Sequence, residues 1–203
     1  MLARKLKYKT ILEITPIKPF HFDSTFFKPG HFPSSDTKWE SGKRWQTTLW
    51  QNLNLGIIYK DAGSKQNPKV EVTIFSDEKL DGGFLSSLKE EVIWRFNLDL
   101  DLSEFYHDVG NDPQLKPIIK KFFGLRPMHY GSLYEYLVID IVLQNATVRR
   151  SVSMLQSLFE KYGILVEFDN QQFWCYWLPK RVKKDDEQKL RELKLGYRAK
   201  SIV

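Results

Sequence analysis

The sequence predicts an α+β protein, with an antiparallel β-sheet lobe over residues 1–97 followed by an all-helical lobe over residues 98–203. Three observations predict it. Four runs rich in β-branched and aromatic residues crowd into the first 76 positions. From about residue 82 the apolar spacing changes to the period of a helix. Hydrophobic residues make up 42% of the 203 positions and aromatic residues 14%, enough to bury a core rather than stay disordered.

The strand runs are YKTILEITP (8–16), RWQTTLWQ (44–51), NLGIIYKD (54–61) and KVEVTIFS (69–76). Pro, Gly and Asn bound them, and they follow one another closely, as in an antiparallel meander. Residues 17–43 hold three prolines, Gly30, Gly42 and five phenylalanines, which reads as an irregular excursion with a possible edge strand. Leu85, Leu88, Val92 and Phe96 then lie 3, 4 and 4 apart, a helical stripe. Asp112-Pro113 opens a second helix carrying Leu115, Ile118, Ile119, Phe122 and Phe123, closed by Gly124. Gly131-Ser132 precedes a helix over 133–143. Thr147 is placed to cap the next, whose buried face is Val148, Val152, Leu155, Phe159 and Tyr162, and Gly163 ends it. Asp185 with Gln188 resembles a capping box for a last helix over about 186–195, ended by Gly196. No internal repeat or low-complexity tract interrupts the chain.

Charge is unevenly spread. The net charge is +6, and residues 180–203 alone carry nine basic and four acidic side chains. A basic end suits a polyanion such as nucleic acid, and equally a solvated helix rich in lysine. The single cysteine, Cys175, excludes an internal disulfide framework and sits in FWCYW, the setting of a buried inert thiol. His21, His31, His107 and His129 are scattered, without ligand spacing, so neither a zinc site nor any other cofactor is expected. The basic start MLARKLKYKTILEI lacks the apolar run of a secretion signal, and LYEYLVIDIVL (133–143) is too short and too acidic to span a membrane. An intracellular protein is expected.

One polar break separates two apolar helices: Gln144-Asn145-Ala146-Thr147-Val148-Arg149-Arg150. Amides pair donor and acceptor groups with base edges, and a guanidinium donates two parallel bonds. The same residues also suit a plain interhelical turn with Asn145 as a local cap. Near the C-terminus, Tyr197-Arg198 follows a helix stop in the most basic part of the chain, with Lys200 beyond. An aromatic beside arginine can stack on a base, or Tyr197 can simply pack back on its helix. The two motifs reinforce each other only if the fold brings them together.

The stretch 98–200 resembles the helix-hairpin-helix DNA glycosylase superfamily, in particular its 8-oxoguanine and alkylated-base branches. The pieces are LDLDLSEFYHDVGNDPQLKPIIKKFFGLRP (98–127), LYEYLVIDIVLQNATVRRSVSMLQSLFEKYG (133–163) and FWCYWLPKRVKKDDEQKLRELKLGYRAK (173–200). The resemblance implies that the polar break faces the base orphaned when a damaged nucleotide is flipped out. It implies that Asn145, Arg150 and Arg198 hold that base, that Tyr197 fills the gap and that Gln144 borders it. Arg149, Lys194 and Lys200 would attract phosphates. Asn with two Arg suits an orphaned cytosine. The implied partner is double-stranded DNA with a damaged base, without a membrane.

Two departures accompany the resemblance. The 8-oxoguanine branch carries a Gly-Gln-aromatic segment in its first lobe, whereas FFKPGHFPSSDTKW (26–39) stands here. The family's hairpin, catalytic Asp and, where present, nucleophilic Lys lie downstream of the LGYRA segment, so the catalytic residues are expected downstream of Val203, outside this chain. Truncation, proteolysis or a second chain carrying the hairpin is the favoured explanation, and the alternative is a non-catalytic DNA-binding or interaction module. On the favoured reading the intact protein is a base-excision DNA glycosylase, with lyase activity if the lysine is present, and this chain alone is inactive.

Overall fold

The computed structural model describes residues 2–27, 33–129 and 131–203. His31 and the 28–32 part of the excursion segment lie outside the described residues, as does the Asp185 side chain expected to cap the last helix. After the short β1 (Arg4–Lys5), strands β2 (Tyr8–Ile14), β3 (Thr37–Glu40), β4 (Lys43–Trp50), β5 (Leu53–Asp61) and β6 (Val70–Ser76) form a five-stranded sheet. All its pairs are antiparallel, in the order β2-β6-β5-β4-β3. β4, β5 and β6 run as the expected meander. β2 closes the far edge beside β6 rather than leading into β4, and β3 is the edge strand foreseen in the excursion.

β5 shows why the sheet is central. Residues 54–59 are all buried, so both faces are covered. Leu55, Ile57 and Tyr59 meet Ile14, Val70, Val72 and Ile74 under helices α1 (Phe22–Phe26) and α2 (Gly82–Arg95). Phe26 anchors the excursion there, stacked on Phe22 at 4.4 Å and on Phe96 at 4.2 Å. Ile58 and Trp45 point to the opposite face. Beyond α2 come the short helices α3 (Ser103–Val109) and α4 (Lys116–Lys121). Buried Arg126 donates to the carbonyls of Leu100, Ile17 and Pro19, tying this stretch back to the first lobe.

The second half centres on α5 (Leu133–Leu143) and α6 (Val148–Tyr162). Ser132 and Glu135 make a reciprocal capping box on α5, and Thr147 caps α6. Their apolar faces meet around Trp177, which lies among Tyr134, Phe159, Tyr162 and Tyr176. Helix α7 (Glu187–Glu192) and the terminal α8 (Ala199–Ile202) complete this core through Leu190, Leu195, Ala199 and Ile202, with Val203 as the cap of α8.

The α+β class holds, and the structure adds a strand pair where only helices were expected. β7 (Ile164–Phe168) and β8 (Gln171–Cys175) form an antiparallel hairpin, with β1 paired parallel to β7. Val166, Phe168, Phe173 and Cys175 pack on Trp45 and Ile58, so the hairpin joins the two halves. Its turn residues Asp169 and Asn170 both have positive φ, +50° and +56°, the geometry of a two-residue hairpin loop. A second difference lies at the last helix. It stops at Glu192, and Lys194 takes the left-handed position (φ +65°), two residues before Gly196. Gly196 instead opens a single 3-10 turn over Gly196–Arg198. A third concerns two apolar stripes. That of α4 is not a buried face, since Leu115, Ile118 and Phe122 are exposed, and Val148 is exposed at the first turn of α6.

Candidate nucleic-acid interface

Helix α5 ends at Leu143, and Gln144 caps it with φ −53° and ψ 123°. Asn145 then turns the chain with φ +43°, a region asparagine tolerates better than most residues. The Thr147 hydroxyl accepts the Arg150 amide at 3.3 Å and starts α6. Buried Ser151 donates to the Val142 carbonyl at 3.0 Å, stapling the two helices across the elbow. The elbow is thus a fixed corner.

The C-terminal segment packs against that corner. Leu195 and Ala199 are buried in the helical core, and in the intervening 3-10 turn Tyr197 faces outward while Arg198 is buried. The Asn145 amide donates to the Tyr197 hydroxyl at 3.4 Å, across 52 positions of sequence. Arg198 donates to the Gln144 carbonyl and, at 3.4 Å, to the Leu195 carbonyl. Its guanidinium carbon lies 4.6 Å from the Tyr197 ring centroid, a cation–π contact. Elbow and tail therefore converge on one surface.

The residues singled out from the sequence divide by exposure. Gln144, Asn145, Arg149, Arg150 and Lys200 are exposed, and Tyr197 is 53% exposed. Arg198 is 2% exposed, with its guanidinium turned to main-chain carbonyls and away from solvent. Arg149 and Arg150 sit in the first turn of α6, which holds no acidic residue. Cations there oppose the helix dipole, an arrangement that suits an anion docked at the helix start. Sequence reasoning did not single out Lys180, Arg181, Lys183 and Lys184, all exposed and free of ion pairs among the described residues. Their run, KRVKK, was visible in the charge count but carries no positional signal of its own.

His21 and His129 have structural partners, and His107 is exposed. His21 caps α1 through Nδ1, and the His129 ring stacks on Trp94 at 5.1 Å. Burial pushes the Cys175 thiol up, away from the reactive thiolate. Among the described residues no group of three or more His, Cys, Asp or Glu could hold a metal ion. No side chain of the corner carries an assigned catalytic role.

Comparison with known proteins places this geometry. No protein-family model matches the chain. It is 24% identical over 145 residues to a DNA-3-methyladenine glycosylase of Bacillus subtilis, a match spanning 66% of this chain and 48% of that protein. Its fold matches the 3-methyladenine DNA glycosylase of Archaeoglobus fulgidus with a TM-score of 0.73, at 16% identity, over 95% of this chain and 65% of the other. It also matches the 8-oxoguanine glycosylase/lyase of Clostridium acetobutylicum, solved with double-stranded DNA containing cytosine opposite 8-oxoguanine. There the TM-score is 0.62 and the identity 18%, over 95% of this chain and 62% of that one. The fold is that of the DNA glycosylases, as the sequence resemblance implied. The chain spans about half the length of the curated relative and under two thirds of these solved structures.

Proposed function

We propose that this chain is the DNA-reading part of a base-excision DNA glycosylase, which flips a damaged purine, 8-oxoguanine or an alkylated base, out of duplex DNA. The observation that carries the reading is the meeting of Asn145 and Tyr197 on one exposed corner, flanked by Arg149, Arg150 and Lys200. Flipping costs a few kcal/mol. The Tyr197 ring stacks into the vacated gap, where an aromatic side chain contributes about 1–3 kcal/mol per base. Asn145 and Arg150 hold the edge of the orphaned base, and the other cations hold the flanking phosphates. Residues 1–97 act as the supporting lobe and 98–203 as the reading lobe, and the protein works inside the cell.

We further propose that the catalytic aspartate and any lyase lysine are not among residues 1–203, which alone excise nothing. In support, helices α3 and α4 leave Phe105, Ile118 and Phe122 exposed, as Leu133 and Leu137 are on α5. The face that α3 and α4 share through Phe105, Ile118 and Phe122 is of a kind that calls for a covering element.

The test is fluorescence anisotropy with a duplex carrying a tetrahydrofuran abasic analogue opposite cytosine. The reading expects tighter binding to that duplex than to an undamaged one of the same length, with affinity falling as salt rises. Equal affinity for both duplexes reduces the chain to a polyanion binder. Retained preference in a full-length gene product that leaves damaged bases uncut favours a non-catalytic DNA-binding module.

A further inference from the structure

Arg198 is the most deeply buried of the interface residues singled out from the sequence, and its side chain bridges the two segments that make the corner. Its guanidinium donates to the Gln144 carbonyl, at the C-terminus of α5, and to the Leu195 carbonyl, at the entry to the 3-10 turn. The first of these carbonyls lies 54 positions from Arg198 in the chain, the second only three. The face of the same guanidinium carries the Tyr197 ring, and Nε is buried with no partner among the described residues. The Gln144 carbonyl is a helix-end group without an intrahelical partner, which a charged donor satisfies well, whereas the Leu195 carbonyl also accepts the Arg198 amide at 3.4 Å. A neutral side chain of similar length would leave the Gln144 carbonyl unpaired.

We infer that Arg198 is a positioning residue: it clamps the elbow to the tail, so that Asn145 and Tyr197 meet DNA as one preset unit, and it does not itself read the orphaned base. The inference rests on the proposed DNA-reading role for its binding consequences, but the clamp exists in the free chain. Opposite-base discrimination then resides in exposed groups, Asn145 first. Arg198 acts through them by holding the Gln144 carbonyl, and with it the left-handed turn at Asn145. The clamp also explains why Leu195, buried in the core, precedes the turn: it fixes one end of the bridge so the guanidinium can pull the other into register.

The full chain tests this by NMR and by binding. In the wild type, the Arg198 guanidinium protons should exchange slowly with water, at least tenfold slower than those of exposed Arg149. Exchange as fast as Arg149 overturns the clamp without needing any variant. In Arg198→Met, the amides of residues 144–147 should shift and broaden while those of β5 stay in place, and Arg198→Lys, which keeps one charged donor, should restore part of the shift. Unmoved amides at 144–147 contradict the inference. Against duplexes carrying tetrahydrofuran opposite each of the four bases, Arg198→Met should weaken binding by the same factor, within twofold, for all four. Loss confined to one opposite base means that Arg198 reads that base directly and refutes the proposal. If the wild-type chain binds no duplex, the DNA-reading role fails, and the exchange and amide measurements still decide the clamp.

Discussion

Asn145 occupies a backbone conformation, φ +43°, that glycine adopts freely and asparagine tolerates, so its backbone and side-chain roles can be separated. Asn145→Gly keeps the turn and removes the amide. Thermal unfolding should change by less than about 1 kcal/mol. Preference among opposite bases should fall by about 1–3 kcal/mol, measured with the four abasic-analogue duplexes. Tyr197 divides similarly. Tyr197→Phe loses only the 3.4 Å bond to Asn145 and should bind nearly as well as wild type, whereas Tyr197→Ala should lose about 1–3 kcal/mol through the missing stack. At this scale the sequence is informative where chemistry is local. Thr147 as a cap follows from its place before an apolar stripe. The burial of Arg198 does not, because it depends on a carbonyl 54 residues away.

The hairpin β7–β8 is the element that sequence patterning alone leaves hidden. Its signal is present: Asp169-Asn170 stands between Val166, Phe168 and Phe173, and two left-handed residues between alternating apolar positions mark a tight hairpin. The surrounding helical patterns mask it, since a five-residue strand is short beside a fifteen-residue helix. Its docking can be tested at Gly56. A Cβ there would lie 2.5 Å from the Phe168 ring, so Gly56→Ala should destabilise by about 1–3 kcal/mol in chemical unfolding. Asp169 supplies a pH-dependent hold. Burial raises its pKa, but bonds from Trp45 at 2.7 Å and Lys43 at 3.0 Å outweigh that and hold it below the ordinary 3.8. A depressed folded pKa stabilises above the unfolded value, and the contribution is lost as pH falls through the folded one. Melting between pH 7 and pH 2 should show this loss in the wild type and not in Asp169→Asn. At pH 7 the variant should be less stable by at most about 1 kcal/mol, because the carboxylate is partly exposed and screened.

Across the whole molecule, the first lobe was the more legible half. Its four expected strands appear within two residues of their foreseen ends, because alternating and doubly buried strands leave a plain record in sequence. The helical lobe was legible as helices, while the contact of elbow with tail followed only from the family resemblance, since no spacing rule relates residues 145 and 197. That contact is the centre of the account, and one titration tests it most directly. Amide resonances of the full chain are followed as a duplex with a tetrahydrofuran site opposite cytosine is added. The account predicts that residues 144–150 and 195–200 shift together, at the same DNA concentration, while the β2 edge strand stays unmoved. Shifts confined to the KRVKK stretch, or absent from either segment of the corner, would contradict it.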